Sequence, residues 1–522
     1  MSKRRRTTEP GSQIISKKKP RFVIGAPSAD DERSVTDNIN NSSSLSERHL
    51  NERLQSLTTL CIQVFSKNFA KLSDAEHWEH TKTELSYVSE SVLPLLFKAI
   101  KSSHPSLLRH EVIATYFLRG SSVSLSGELA GVTSHTLSAI SRFMKNELRT
   151  LELTDFSKFS NKDFSRLISV LPLLESSVLR NCSKVGPSTV EALAKTCPNL
   201  TKVNLSSTNI TAISLLPLLR SCPNIEVLKL ANIRNLSDAT IGRLFTAVQD
   251  ECDSWSIRPL QKLKSLKLRH NTISENSLAP FLQRCPLLER LDVSFTSLKR
   301  IPVIPNTPPI VKLSLTSTFV SNKDLVELVA KLPNLRILNI GAMGVKAATS
   351  TAFTTSSDMT FNDDALRNLT KALINCPSIE SVNLVQNQKL GALKKHDSAL
   401  GYFIRHVGRR CQTLNLSGIG LRSEDLAGLM PGSEEEEISS LRTLVLNKTL
   451  VDHNCVAWIS SCKNLEILEV ADTRISADNL FQIILSCPRL SKLNLTGCRG
   501  IKISDRRRFF EVWEEQQAAI PS

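Results

Sequence analysis

One short pattern recurs along this chain at a near-constant interval, and it constrains the fold more than any other feature. LxxLxL stands as LRTLEL at Leu148, LTKVNL at Leu200, IEVLKL at Ile225 and LKSLKL at Leu263. It continues as LERLDV at Leu288, IVKLSL at Ile310, LRILNI at Leu335 and IESVNL at Ile379. CQTLNL at Cys411, LRTLVL at Leu441, LEILEV at Leu465 and LSKLNL at Leu490 complete the series, with a degenerate LESSVL at Leu174. Roughly thirteen copies result, most about 25 residues apart, a spacing that holds one strand and one helix per unit.

Each part of the unit has a physical reason. The last two apolar positions of LxxLxL alternate, the period of a short strand with one buried face. A turn position follows, filled by Thr208, Asn271, Thr296, Thr318, Asn387, Thr449 and Thr473, or by Cys182 and Cys498. Small hydrogen-bonding side chains there can satisfy backbone groups that the turn leaves unpaired. Two residues on stands another apolar anchor, such as Ile210, Ile273, Leu298 or Ile475. Apolar residues then fall at helical spacing, as in Leu480, Ile483/Ile484 and Cys487, and Pro198, Pro223, Pro286, Pro377 or Pro488 stops the helix. One such unit cannot bury its apolar face alone, whereas stacked neighbours share a continuous core.

The helix-ending Cys-Pro-x-Leu resembles the ribonuclease-inhibitor-like and cysteine-containing leucine-rich repeats, over roughly Leu148 to Ile501. These occur in F-box-type ubiquitin-ligase receptors and in fungal nucleotide-excision-repair scaffold proteins. The resemblance implies an α/β leucine-rich-repeat solenoid, a horseshoe with parallel strands on the concave face and helices on the convex face. It says little about function, because many activities ride on this scaffold. The expected organisation is a disordered basic head (1–45), a helical N-terminal region (46–120), a solenoid of about 13–14 repeats (121–503) and a cap helix (504–522).

LQSLTTLCIQVFSKNF (54–69) and SESVLPLLFKAI (89–100) are amphipathic stretches, and SVSLSGEL (122–129) with a helical segment near Thr136 to Lys145 reads as a degenerate first repeat. The order resembles the start of the fungal excision-repair proteins, where a leucine-rich helix and a short LP-containing helix lead into the repeats. SVLPLLFKAI also resembles the opening of an F-box, but no tryptophan closes that motif. In SDRRRFFEVWEEQQAAI (504–520), Phe509, Phe510 and Trp513 are expected to seal the exposed end of the core, with Arg506 to Arg508 left in water. Two stretched spacings, AATSTAFTTSSD (347–358) and the acidic run Glu434 to Glu437 beside Ser433, read as solvated loops.

Composition agrees with an aliphatic core: 41% of residues are apolar and only 5% aromatic. The formal net charge of +16 permits attraction to nucleic acid, acidic proteins or anionic lipid. Part of the excess sits in the head, in Lys3, Arg4, Arg5 and Arg6 and in Lys17, Lys18, Lys19 and Arg21, ten residues apart. That arrangement resembles a two-part nuclear import signal, so a nuclear location is expected, with the cytoplasm as the alternative. None of the twelve cysteines forms a CxxC pair, and most occupy the repeated core position, so free thiols in a reducing compartment are expected. No apolar run reaches membrane-spanning length, and no membrane partner is expected.

Strand residues beside the buried leucines point into the horseshoe. In the middle repeats these are Lys202, Lys229, Lys267, Arg269, Arg290 and Lys312, with Asp292 the acid among them, and later Asn339, Asn383, Asn415, Asn447 and Asn494 with Glu469. Cations at strand spacing favour an acidic protein partner or a phosphate backbone, and with no aromatic residues interleaved a single-strand stacking platform is disfavoured. His77 and His80, flanked by Glu76, Glu79 and Glu84, could share a helix face, but a structural zinc site needs four closed ligands. No GxxxxGK[ST], GxSxG or helix-opening GxGxxG is present. The sequence therefore predicts a non-enzymatic scaffold without cofactor, holding a protein partner, with ubiquitin-ligase subunits among the candidates. Direct nucleic-acid binding and a structural or signalling role outside the nucleus are the alternatives.

Overall fold

A computed structural model describes residues 44–48, 56–249, 260–302, 308–344, 360–392, 398–431 and 439–519. The chain divides into two units, Met1–Ser42 and Ser43–Ser522, and all the described residues belong to the second. Lys3, Arg4, Arg5, Arg6, Lys17, Lys18, Lys19 and Arg21, the expected import signal, lie outside them, as do Ser433 and the acidic run.

The strands form one open sheet. Fourteen run parallel in chain order: β2 (Ser122–Ser126), β3 (Thr150–Thr154), β4 (Ser176–Val178), β5 (Lys202–Asn204), β6 (Val227–Lys229), β7 (Ser265–Lys267) and β8 (Arg290–Asp292). They continue as β9 (Lys312–Ser314), β10 (Ile337–Asn339), β11 (Ser381–Asn383), β12 (Thr413–Asn415), β13 (Thr443–Val445), β14 (Ile467–Glu469) and β15 (Lys492–Asn494). Each parallel strand pairs with its neighbour through the middle of its LxxLxL copy, beginning with the degenerate β2. Helices cover the other face. A helix is about 10 Å wide and strands stand about 4.8 Å apart, so the stack bends with the sheet on its inner, concave side.

The turn after most strands is built one way. Its first residue has a left-handed backbone, as at Asn181, Ser207, His270, Phe295, Ser317, Gln386, Lys448 and Asp472. The next side chain then turns back onto the main chain. Thr208, Thr296, Thr318, Thr449 and Thr473 donate through Oγ1 to the carbonyl three residues earlier at 2.6–2.7 Å. Asn271 and Asn387 reach farther, each donating to carbonyls of two successive repeats and accepting from the N–H of the earlier one. The helix-end cysteines have a similar task. Cys222 Sγ donates to the Cys197 carbonyl at 3.3 Å and Cys487 Sγ to the Cys462 carbonyl at 3.4 Å, tying successive helix ends together. Burial pushes the thiols of Cys197, Cys285, Cys411, Cys455 and Cys487 up to about 12, so they stay protonated and inert.

LESSVL differs from its neighbours in the core. Ser177 takes the place of the central leucine, paired between Leu151 and Val203, fully buried, and its hydroxyl meets no hydrogen-bond partner.

Among the described residues, α1 (Leu57–Leu72), α2 (Trp78–Tyr87), α3 (Leu93–Ser103) and a single α-helical turn at His110–Val112 precede the first repeat. A π-helical turn at Ile113–Phe117 leads toward β2. Residues 46 and 47, expected in the helical region, are instead strand. β1 (Leu45–Glu47) pairs antiparallel with β15 at the far end of the sheet. The unpaired peptide groups of β15 explain this: a last strand offers hydrogen bonds that three residues without periodicity can take. Ten residue steps from Glu47 to Leu57 span at most about 36 Å, so the start of α1 lies within that reach of the last repeat.

The last helix covers Phe509–Ala518, with Phe509 and Phe510 buried. Arg506 is not left in water as expected. Its guanidinium donates to the carbonyls of Cys498 (2.6 Å) and Ile501 (3.1 Å), the latter standing where Val185 and Leu390 accept an N–H from the next repeat.

Candidate partner-binding surface

The register sorts the concave side chains into columns. Lys202, Arg290 and Lys312 stand in the first column, with Val227 and Ser265 between Lys202 and Arg290. Lys229 and Lys267 stand in the third column, directly opposed on β6 and β7, with Asp292 next to them. Arg269 lies two residues beyond Lys267, at the mouth of the turn. The single line of six cations expected from spacing is therefore three short groups in different columns, because the intervening repeats carry neutral residues there. Lys202 and Arg290 are exposed, and Lys229, Lys267 and Arg269 are half-buried. Lys312 is buried at 8% exposure, which takes it out of the open surface.

The later repeats carry asparagines on this face. Asn383, Asn415 and Asn494 turn Oδ1 onto the N–H two residues on, at 3.0–3.2 Å, as Asn204 and Asp292 do earlier. Their oxygens thus close the end of each strand; Asn383 and Asn494 are buried to the same degree as Lys312, and Asn415 is half-buried. Asn339 Nδ2 donates to Ser314 Oγ and Asn447 Nδ2 to Glu469 Oε2, so these two serve neighbouring strands. A groove lined by ammonium and guanidinium groups matches an acceptor-rich surface.

A second charged row runs along the rim, one residue before each strand. Arg149 pairs with Glu175, Lys264 with Glu226 at 3.2 Å, Arg336 with Glu380, and Arg442 with Glu466 at 3.5 Å. These partly exposed pairs add little stability, but they neutralise one another and leave the groove charge to the inner columns. The alternation of Arg149, Glu175, Glu226 and Lys264 at repeat spacing was visible in the sequence as a second periodic signal.

Aromatic residues do interleave with the cations, contrary to expectation. Phe295 and His270 occupy the left-handed turn positions of adjacent repeats and stack at 4.2 Å between centroids with planes 11° apart. The Arg269 guanidinium lies 5.4 Å from the Phe295 centroid. Partial burial of the ring, helped by the charges of Arg269 and Lys267 and opposed by Asp292, holds His270 below the ordinary imidazole value. Sequence reading missed this group because Phe295 and His270 lie outside the strands, where alternation is silent.

His77 and His80 do not join a metal cluster: His80 faces Glu84 at 4.0 Å on an exposed helix side. Among the described residues no three His, Cys, Asp or Glu side chains gather to hold an ion. No described helix is long and apolar enough to cross a membrane.

Comparison with known proteins finds leucine-rich-repeat similarity. Residues 196–219 match the family model described as Leucine Rich repeat. The chain is 30% identical over 165 residues to F-box/LRR-repeat protein 4 of Bos taurus, covering 31% of this chain and 25% of that protein. It is 31% identical over 122 residues to the receptor-like protein EIX1 of Solanum lycopersicum, covering 23% and 11%. The match thus spans about a quarter or less of either relative. Among solved structures, a chain of the Rad7 and Elc1 complex in yeast aligns at 18% identity and TM-score 0.42, covering 81% of this chain and 95% of that one. The LRR protein LIC12759 of Leptospira interrogans aligns at 16% and 0.39, covering 76% and 98%. A curved repeat array of this kind is a protein-interaction scaffold.

Proposed function

Taking as premise that the chain is a leucine-rich-repeat solenoid protein, we propose that it is a non-enzymatic recognition subunit of a nuclear ubiquitin-ligase or DNA-repair type complex. One face of its N-terminal cap docks to the machinery, and the concave groove holds an acidic protein.

The observation that carries this reading is the double-faced helix α1. Ile62, Phe65 and Phe69 pack toward the core. Leu57, Leu60 and Val64 face solvent at 77%, 44% and 62% exposure, with Cys61 open beside them. A helix keeps a second apolar stripe in water at a cost of lost burial, and such stripes mark protein-binding faces. The groove adds Lys229, Lys267 and Arg269, a surface suited to carboxylates.

Affinity purification of the full chain from nuclear extract at low salt tests both faces. L60D/V64D is expected to lose ligase or repair subunits while keeping the groove partner, and K229E/K267E to do the reverse. Recovery of neither ligase nor repair subunits by the unaltered chain overturns the complex assignment. Removing residues 1–21 is expected to shift a fluorescent fusion out of the nucleus, and unchanged location overturns the import signal.

The stacked His270–Phe295 pair under Arg269 favours a second reading, direct binding of single-stranded nucleic acid in the groove. In that case K229E/K267E weakens oligonucleotide binding and flattens its salt dependence. Binding that residues 1–21 alone account for would exclude it.

A further inference from the structure

At the end of the sheet opposite β1, strand β2 stops the array with its outer edge open. Gly127 donates to the Thr154 carbonyl, and the Arg149 and Thr150 N–H groups reach the Ser121 carbonyl. Odd-numbered residues of β2 therefore turn their peptide groups to β3. Those of Ser122 and Ser124 turn outward, where no backbone hydrogen bond meets them among the described residues. An open strand edge is a template for another strand.

Beside this edge lies a cavity of about 460 Å³ between β2, α3 and the π-helical turn. Phe97, Ile113, Phe117 and Leu118 form its apolar floor and are buried, while Leu95 on the rim is 56% exposed. A π-turn is rare and often accompanies a functional site. Lys98 and Lys101, one turn apart on α3, border the opening. Neither ammonium group makes a hydrogen bond or ion pair among the described residues. The lining acid, Glu152, is held from the sheet side by Ser124 Oγ at 3.0 Å.

We propose that this groove binds an extended acidic peptide of a partner protein, added as a strand to the open edge of β2. A bulky apolar side chain of the peptide fills the cavity, and its carboxylates meet Lys98 and Lys101. Three independent features fit that occupant: free peptide groups at strand spacing, an apolar hole between strand and helix, and two cations at its mouth. Strand addition with a side-chain pocket is a recurrent mode of peptide recognition. This protein already uses edge pairing at its other end, where β1 covers β15. The site is separate from the concave centre and from the exposed stripe of α1, so it stands or falls apart from the function proposed above.

The test is selection of phage-displayed random twelve-residue peptides on the full-length chain, followed by affinity measurement with a fluorescein-labelled consensus peptide. A consensus with acidic residues around one large apolar residue is expected. K98E/K101E is expected to weaken its binding by roughly tenfold or more, and Ser124→Pro to abolish it by removing the outward N–H. K229E/K267E and L60D/V64D should leave it unchanged. Because Ser124→Pro can disturb the first repeat, the exposed charge reversal is decisive, with circular dichroism confirming the fold. No consensus, a basic consensus, or full binding by K98E/K101E overturns the proposal. Self-association of the chain that K98E/K101E abolishes would assign the groove to a second copy and overturn it as well.

Discussion

Ser177→Val should stabilise the array, which is unusual for a substitution in a fully buried site. The hydroxyl of Ser177 is buried at 0% exposure and lacks a partner. A buried hydroxyl without a hydrogen bond costs about 1–3 kcal/mol on protein scales. Valine removes that cost and buries two methyl groups, about 0.8 kcal/mol each. The site has room in principle, because the same core column holds Leu151 on one side and Val203 on the other. Crowding of added carbons in a packed interior opposes the gain by about 1–3 kcal/mol. The net expectation is a gain of about 1–2 kcal/mol, local to the repeats around β4 because each repeat touches only its neighbours. Urea unfolding followed by circular dichroism measures it, and hydrogen exchange of residues 150–204 localises it. Ser177→Ala is the control that separates the two effects, since it deletes the hydroxyl and adds no volume. Should Ser177→Ala destabilise the protein, the hydroxyl has a partner and the reasoning is wrong. If Ala stabilises and Val does not, the hydroxyl argument stands and the space argument fails.

Three further outcomes follow from the geometry. Iodoacetamide at pH 8 should modify Cys61 quickly and leave the ten buried described cysteines untouched in the native chain. Peptide mapping by mass spectrometry decides it, and rapid labelling of Cys197 or Cys285 would contradict the shared core. His270 should titrate below about 6.5, and Arg269→Ala should raise its midpoint, as followed by histidine-selective NMR. Because its folded value is depressed, the unfolded chain binds more protons between the two values, so this group makes stability rise with pH through that window. A midpoint at or above the ordinary imidazole value refutes the cation cluster. Removing residues 1–48 deletes β1, the Glu47–Lys492 pair at 3.3 Å, the Arg48–Glu514 pair at 3.1 Å and the Arg48 contact with Trp513. Hydrogen exchange should then quicken in 490–518 and stay constant near β8, and unchanged protection of the C-terminal helix would show that the strand adds nothing.

The repeat was legible in the chain because each part of it is a local requirement repeated many times. Alternating leucines, Thr or Asn at the turn, Cys-Pro at the helix end: each obeys short-range geometry, and each pointed to the same unit. That Lys202, Lys229, Lys267, Arg269 and Arg290 would leave the core was equally readable, since strand alternation decides it. Arg506 was misread because its role depends on the Ile501 carbonyl, which takes no N–H from a next repeat as the Val185 and Leu390 carbonyls do.

What the sequence alone determined, then, is the stacked unit and the side of each strand that faces inward. Only the tertiary structure decided which residues meet across repeats: Lys229 opposite Lys267, His270 on Phe295, β1 on β15, and the cavity between α3 and β2. The physical reason is that periodicity specifies direction within one unit, whereas register between units and edge pairing depend on hydrogen bonds between segments tens to hundreds of residues apart.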